Sequence, residues 1–286
     1  MKFGVVYPQI ELDGDPDAVR AIGRATEELG YDYLLAYDHV GGAVHADREP
    51  KLWGPYHETD PFHDPFVMFA HLAAITERIE FATGVLILPQ RQTLLVARQA
   101  ADVDLLSDGR LRMGVGVGWN YVEYDALGED FSTRGRRADE QIGLLRSLWG
   151  GGVISHEGDF DTVDRLALVP PPTRQIPVWV GGFSPPAFRR GVDHGDGFMF
   201  AGNEERVHGA LASLREHAAE AGRSLDGFGL EFIALGGASP ADTAAMAERW
   251  AELGGTHFAS VSMGSGRDSL DAHLDFYSST AEGVLG

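Results

Sequence analysis

The chain predicts an α/β fold, a single closed (β/α)8 barrel of the TIM type spanning residues 1–286 as one domain. Three observations lead there. Eight short runs rich in β-branched and aromatic residues alternate with eight amphipathic stretches. A chain of 286 residues accommodates such a barrel, roughly 250 residues, plus insertions. No linker rich in Pro, Gly and Ser divides it into halves. An open doubly wound sheet shares the alternation and is the alternative fold.

The elements follow in order. A strand at 3–7 leads to Asp15-Pro16, which opens a helix over 16–29 because proline lacks an N–H that the first helical turn leaves unused; Gly30 closes it. A strand at 32–37 precedes a long connection, 39–63, carrying Trp53, Tyr56, His57, Phe62 and His63, of a length usual for functional lids. Asp64-Pro65 starts the helix at 64–76, followed by a strand at 79–86, a helix at 92–106, a strand at 110–116 and a helix at 133–149. Gly150-Gly151-Gly152, an alternating run from Val153 to Phe160, and Pro170-Pro171-Pro172 then predict a β-hairpin insertion over 150–175. Strands at 176–180 and 196–200 bracket a helix at 185–193. A helix at 203–221, a strand at 228–234, a helix at 239–253 opened by Ser239-Pro240, a strand at 256–262 and a helix at 267–280 complete the series.

Composition narrows the function classes. The 43 acidic against 23 basic residues leave a formal charge of −20, which argues against nucleic acid or an anionic membrane as a partner. The absence of cysteine removes disulfides, thiol nucleophiles and thiolate metal sites, and points to a reducing cytoplasm. Lysine occurs only at Lys2 and Lys51, so a P-loop or Schiff-base lysine deeper in the chain is excluded. The apolar start from Met1 to Ile10 is too short for a signal peptide, and no run of 18 apolar residues occurs.

In a barrel of this kind the site lies at the C-terminal ends of the strands. The residues expected there are Gln9, Asp38-His39, Thr83-Gly84-Val85, Gly116-Val117-Gly118-Trp119-Asn120, Gly181-Gly182 with Ser184, and Gly195-Asp196-Gly197. Any one glycine turn is explained by tight chain reversal. Several converging on one rim, with the 37 glycines of the chain otherwise unaccounted for, point to backbone closely approached by a flat anionic cofactor.

Other chemistries fit poorly. Gly182-Phe183-Ser184-Pro185-Pro186 lacks the second glycine of a nucleophile elbow, and His57-Glu58 has Pro61 where a zincin helix needs its second histidine. The cluster His57, Glu58, Asp60, His63 and Asp64 reads as a polar lid, and no metal site is expected.

The stretch from Ala82 to Arg91, then Leu105-Leu106-Ser107-Asp108-Gly109-Arg110-Leu111 running into Gly114–Asn120, then Ala126-Leu127-Gly128, Pro177–Gly182 and Gly195-Asp196-Gly197-Phe198 resemble, in order, signatures of the luciferase-like monooxygenase superfamily, in its coenzyme F420-dependent oxidoreductase branch. The resemblance covers nearly the whole chain. It implies a non-prolyl cis peptide at Gly84-Val85, forming a bulge behind a deazaflavin ring, with Thr83 beside it. It implies that His39, with Asp38 beside it to orient the ring, moves the substrate proton, a task suited to an imidazole near neutrality. It likewise implies that Gly181, Gly182 and Ser184 receive the cofactor phosphate and that Gly116, Val117, Gly118, Trp119 and Asn120 flank the ring. Trp119 is placed to meet cofactor, substrate or the barrel rim.

Flavin-using relatives often carry an arginine where this chain has Val117, so coenzyme F420 is favoured, with FMN as the alternative. Arg134, Arg136 and Arg137 are candidates for the acidic F420 tail, or for salt bridges to Asp139 and Glu140. Sugar-phosphate dehydrogenases of the branch have a tryptophan near Ala43, a glutamate at the Trp119 position and further lysines, which argues against such a substrate here. The expected activity is hydride transfer between the deazaflavin C5 and a small organic substrate. The alternatives are an FMN-dependent monooxygenase fed by a flavin reductase, and a non-catalytic flavin- or F420-binding barrel. The resemblance also implies a homodimer.

Overall fold

A computed structural model describes residues 1–236 and 238–285. The chain runs β1 (Lys2–Val6), α1 (Pro16–Glu28), β2 (Tyr33–Ala36), α2 (Pro65–Ala73), β3 (Glu80–Thr83), β4 (Leu86–Ile87), α3 (Thr93–Leu106), β5 (Leu111–Gly116), α4 (Tyr121–Ala126) and α5 (Arg134–Trp149). It continues through β6 (Ile154–Glu157), β7 (Thr162–Leu166), β8 (Val178–Gly181), α6 (Pro185–His194), β9 (Gly197–Gly202), α7 (Glu204–Glu220), β10 (Gly229–Ala234), α8 (Pro240–Glu252), β11 (His257–Val261) and α9 (Leu270–Val284).

The strands close on themselves. Every pairing in the large sheet is parallel, from β3 through β2, β1, β11, β10, β9 and β8 to β5, which pairs in turn with β3 and with β4. With β3 and β4 as two pieces of one barrel position, this is the eight-stranded (β/α)8 barrel that the alternation predicts. The insertion is the antiparallel hairpin β6–β7, with Glu157 opposite Thr162.

Local chemistry sets the helix starts. Asp15 caps α1 by accepting from the Asp17 N–H with Pro16 in the first turn, Asp64 and Pro65 repeat the device at α2, and Ser239 with Pro240 repeats it at α8. The two-residue period of β2 sends Tyr33 and Leu35 into the barrel, with Tyr37 beyond its end, while Leu34 and Ala36 face the helices. The lumen is therefore a packed column. At its N-terminal end Arg112 lies between the rings of Tyr33 and Trp179 and pairs with Glu231 at 2.5 Å. That plug directs any ligand to the opposite rim.

Four features differ from the sequence expectation. The strand expected at 79–86 is broken at Gly84-Val85, the short helix α4 was not anticipated, and α9 begins at Leu270, capped by Ser269, rather than at 267. Gly195-Asp196-Gly197, expected on the site rim, instead enters β9 at the opposite end, where Asp196 accepts from the Val178 N–H and from Arg146.

Candidate active site

His39 lies just past β2 at the C-terminal rim, its side chain only 9% exposed. Its Nδ1 stands 3.2 Å from both carboxylate oxygens of Glu123, in the first turn of α4. The same carboxylate accepts from the backbone N–H of Val40 at 2.9 Å and of Gly41 at 3.1 Å, so the chain leaving His39 is wrapped around it. Burial pushes the Glu123 carboxyl up, but hydrogen bonds from His39, Gly41 and Gln90 outweigh burial and hold it below the ordinary glutamate value. Glu123 is thus ionised at neutral pH and can only accept. In the neutral imidazole Nδ1 then carries the hydrogen, leaving the lone pair on Nε2.

Asp38 faces elsewhere. Its carboxylate accepts from Arg91 at 2.6 Å and from the Ile87 N–H at 2.9 Å, and Arg91 also reaches Asp64 at 2.9 Å. Burial would lower the Arg91 pKa, but Asp38 and Asp64 raise it above its ordinary value, so the guanidinium is charged; on Asp38 burial outweighs the pull of Arg91 and pushes the carboxyl up. Asp38 therefore fastens β4, and the carboxylate that meets the imidazole is Glu123. Sequence reading missed Glu123. A signal was present: Asn120 followed three residues later by a glutamate is a helix-start pattern, and Asn120 does cap α4 by accepting from the Val122 N–H.

The Gly84-Val85 peptide is cis. The Val85 side chain projects between β5 and β8, where a Cβ on Gly116 would stand 2.3 Å, and one on Gly181 2.6 Å, from its methyl groups. Only bare backbone on both neighbours admits the bulge. Thr83, beneath it, donates through its hydroxyl to the Gly114 carbonyl at 2.6 Å. Gly118, at φ +65, turns the chain away beside Ile87, and the Val117 carbonyl accepts from the Tyr124 hydroxyl at 2.7 Å. The result is an apolar knob ringed by glycine backbone, a floor that fits a flat ring. Gly182 and the exposed Ser184 lie at the end of β8, and Ser184 makes no side-chain capping bond.

The 39–63 segment covers His39. Tyr56 and Phe62 present their rings edge-on to the imidazole at 5.0 and 4.9 Å between centroids, with Trp119 at 5.6 Å. Trp53 points away, 70% exposed, with the Lys51 ammonium 3.7 Å over its ring. Asp60 accepts from the His57 N–H at 2.6 Å, and Asp64, just past the segment, caps α2.

The three arginines of α5 are dispersed. Arg137 pairs with Glu129 at 2.5 Å, Arg134 lies over Phe131, and Arg136 reaches Asp159 at 3.9 Å and lies over the Phe160 ring. Asp139 goes to Arg190, and Glu140 accepts from the backbone of 159–161.

The family described as luciferase-like monooxygenase matches residues 1–283. An uncharacterised protein of Mycobacterium tuberculosis is 32% identical over 226 residues, 74% of this chain and 78% of that protein. Pyrimidine monooxygenase RutA of Allorhizobium ampelinum is 32% identical over 231 residues, 77% of this chain but 59% of the longer relative. An F420-dependent secondary alcohol dehydrogenase, solved with an F420-acetone adduct, superposes with a TM-score of 0.79 over 99% of this chain and 98% of that one; at 16% identity the likeness is one of fold.

Proposed function

Because the chain belongs to the luciferase-like monooxygenase family, we propose that it is an F420-dependent oxidoreductase that transfers a hydride to or from a small organic substrate at the rim of a single barrel domain. The observation that carries the reading is a proton-transfer group beside a ring seat: His39, its Nδ1 committed to Glu123, stands at the rim that also holds the Val85 knob. Each of the two would be idle without the other.

The residues present fit a deazaflavin or flavin. Val85 with Thr83, Gly84, Gly116 and Gly181 would hold the ring, Gly118, Trp119 and Asn120 would border it, and Gly182 and Ser184 would lie toward its phosphate. Val117, where flavin-using relatives often have an arginine, supports F420 over FMN. When bound, F420 supplies or accepts a hydride at C5. His39 Nε2, as the free lone pair of the neutral ring, takes the proton of a substrate alcohol or, when protonated, returns it to a substrate oxygen. Glu123 stabilises the imidazolium that forms in between. Asp38 acts as a positioning residue through Ile87. Tyr56 and Phe62 exclude water from the imidazole. A small, uncharged substrate suits this lining, since Arg91 is already held by two carboxylates.

A second reading, an FMN-dependent monooxygenase, is favoured by the 32% identity to RutA. Paired titrations of the purified protein with F420 and with FMN, followed by cofactor fluorescence, separate the two. Micromolar or tighter F420 binding with negligible FMN affinity is the expected result; the opposite preference overturns the F420 assignment.

A further inference from the structure

A cofactor phosphate at the Gly181-Gly182-Phe183-Ser184 turn needs donors, and α6 offers few. Pro185 and Pro186 have no N–H, and the next two, of Ala187 and Phe188, already donate to the Ser184 carbonyl at 2.9 and 3.0 Å. The α5 arginines are dispersed as described, and Arg190 is bound to Asp139. The charge must come from another element.

Arg206, in the first turn of α7, meets that need. Its guanidinium carbon stands 3.8 Å from the centroid of the Phe183 ring, in the middle of the turn, and its stem runs past Gly202, where a Cβ would be 3.4 Å from Cδ. Among the described residues it forms no ion pair. The neighbouring Glu204 is engaged by Arg249 and by His208. A cation at the start of a helix opposes the helix dipole, and one without a carboxylate partner there is uncompensated. Stacking on an aromatic face fixes the plane of a guanidinium and leaves its edge donors open to a bidentate oxyanion.

We propose that Arg206 is the cationic clamp for the phosphate of the bound cofactor, held ready by Phe183. The proposal rests on the cofactor reading above, and because FMN and F420 both carry the phosphate it is independent of which one binds. The test compares wild type, Arg206→Ala and Arg189→Ala in titrations with two pairs of ligands: FMN against riboflavin, and F420 against its phosphate-free deazaflavin riboside. Arg189, exposed on α6 with no ion pair among the described residues, controls for loss of a surface charge. Arg206→Ala is expected to weaken the phosphate-bearing ligand about tenfold or more, to flatten its salt dependence, and to leave the phosphate-free ligand within about twofold. Arg189→Ala should match wild type. Equal affinities for wild type and Arg206→Ala, an equal loss with the phosphate-free ligand, or the same loss in Arg189→Ala overturns the proposal. If wild type binds neither FMN nor F420, the cofactor reading itself fails, an outcome distinct from all of these.

Discussion

Glu123 and His39, 84 positions apart in the chain, meet with Nδ1 equidistant at 3.2 Å from both carboxylate oxygens. The carboxylate fixes which ring nitrogen carries the hydrogen, so Glu123→Gln, whose amide can also donate, removes that preference. We expect kcat to fall about 10- to 100-fold with cofactor affinity unchanged. The 15N shifts of the His39 ring should move toward a mixture of tautomers. A merely structural role for Glu123 would leave those shifts in place.

His39→Ala removes the proton-transfer group itself. Turnover should fall roughly 10²- to 10⁴-fold while cofactor titrations stay at wild-type affinity, because the Nδ1 hydrogen bond of the imidazole goes to Glu123 and not to the residues of the Val85 floor. Wild-type turnover in this variant would sink the catalytic assignment.

The Val85 knob gives a paired test. In Gly116→Ala the new methyl carbon would sit 2.3 Å from a Val85 methyl group, so the bulge must move, at a cost of about 1–3 kcal/mol in stability and with loss of cofactor affinity. Adding Val85→Ala empties the clashing volume and should restore most of the stability without the affinity. Thermal melts and titrations on wild type and the two variants check it. Recovery of both quantities together would mean that the knob is packing rather than a seat.

Much of this architecture is legible in the sequence. Asp15-Pro16, Asp64-Pro65 and Ser239-Pro240 announce helix starts that the structure places within about one residue, since proline and a capping side chain act locally. The hairpin after α5 is likewise local. What escaped reading depends on closure of the barrel. Nothing near Asp38 in sequence reveals that it will be drawn to Arg91 rather than to the adjacent His39, and nothing near His39 names Glu123 as its partner. Within α5, arginines that look like one cationic cluster are sorted to different partners by burial and reach. The cis peptide at Gly84-Val85 was expected from family resemblance; the residue pattern by itself reads as an unbroken strand.

The covering segment is anchored at Gly54, whose backbone lies against Trp119: a Cβ there would be 2.2 Å from the indole. Gly54→Ala should lift the segment, red-shift tryptophan emission and lower kcat/KM, with the barrel melting near the wild-type temperature because 39–63 lies outside the sheet. Unchanged emission and kcat/KM would show that the segment does not shield the site.

Acid sensitivity follows from His273, buried on α9. Its Nδ1 lies 2.9 Å from the Ser262 hydroxyl, which donates to the Tyr277 hydroxyl, which donates to the Val6 carbonyl at 2.9 Å. With the Ser262 proton committed to Tyr277, Nδ1–H of a neutral imidazole completes the chain, tying α9 to the end of β1. Burial first, and then the charge of Arg267, pushes the His273 pKa down to about 4. An unfolded histidine titrates near 6.5, so the neutral folded form contributes stability that is complete above pH 6.5 and is lost as pH falls toward 4, by roughly 3 kcal/mol in all. His257, pushed down to about 2 by burial and by Arg112 and Lys2, adds a slope of the same sign that continues to lower pH. His273→Gln keeps a donor for Ser262 and has nothing to protonate. Its melting temperature should therefore decline less steeply than that of wild type between pH 6.5 and 4, with the His257 contribution remaining. Parallel melting curves across that window would place the acid lability elsewhere.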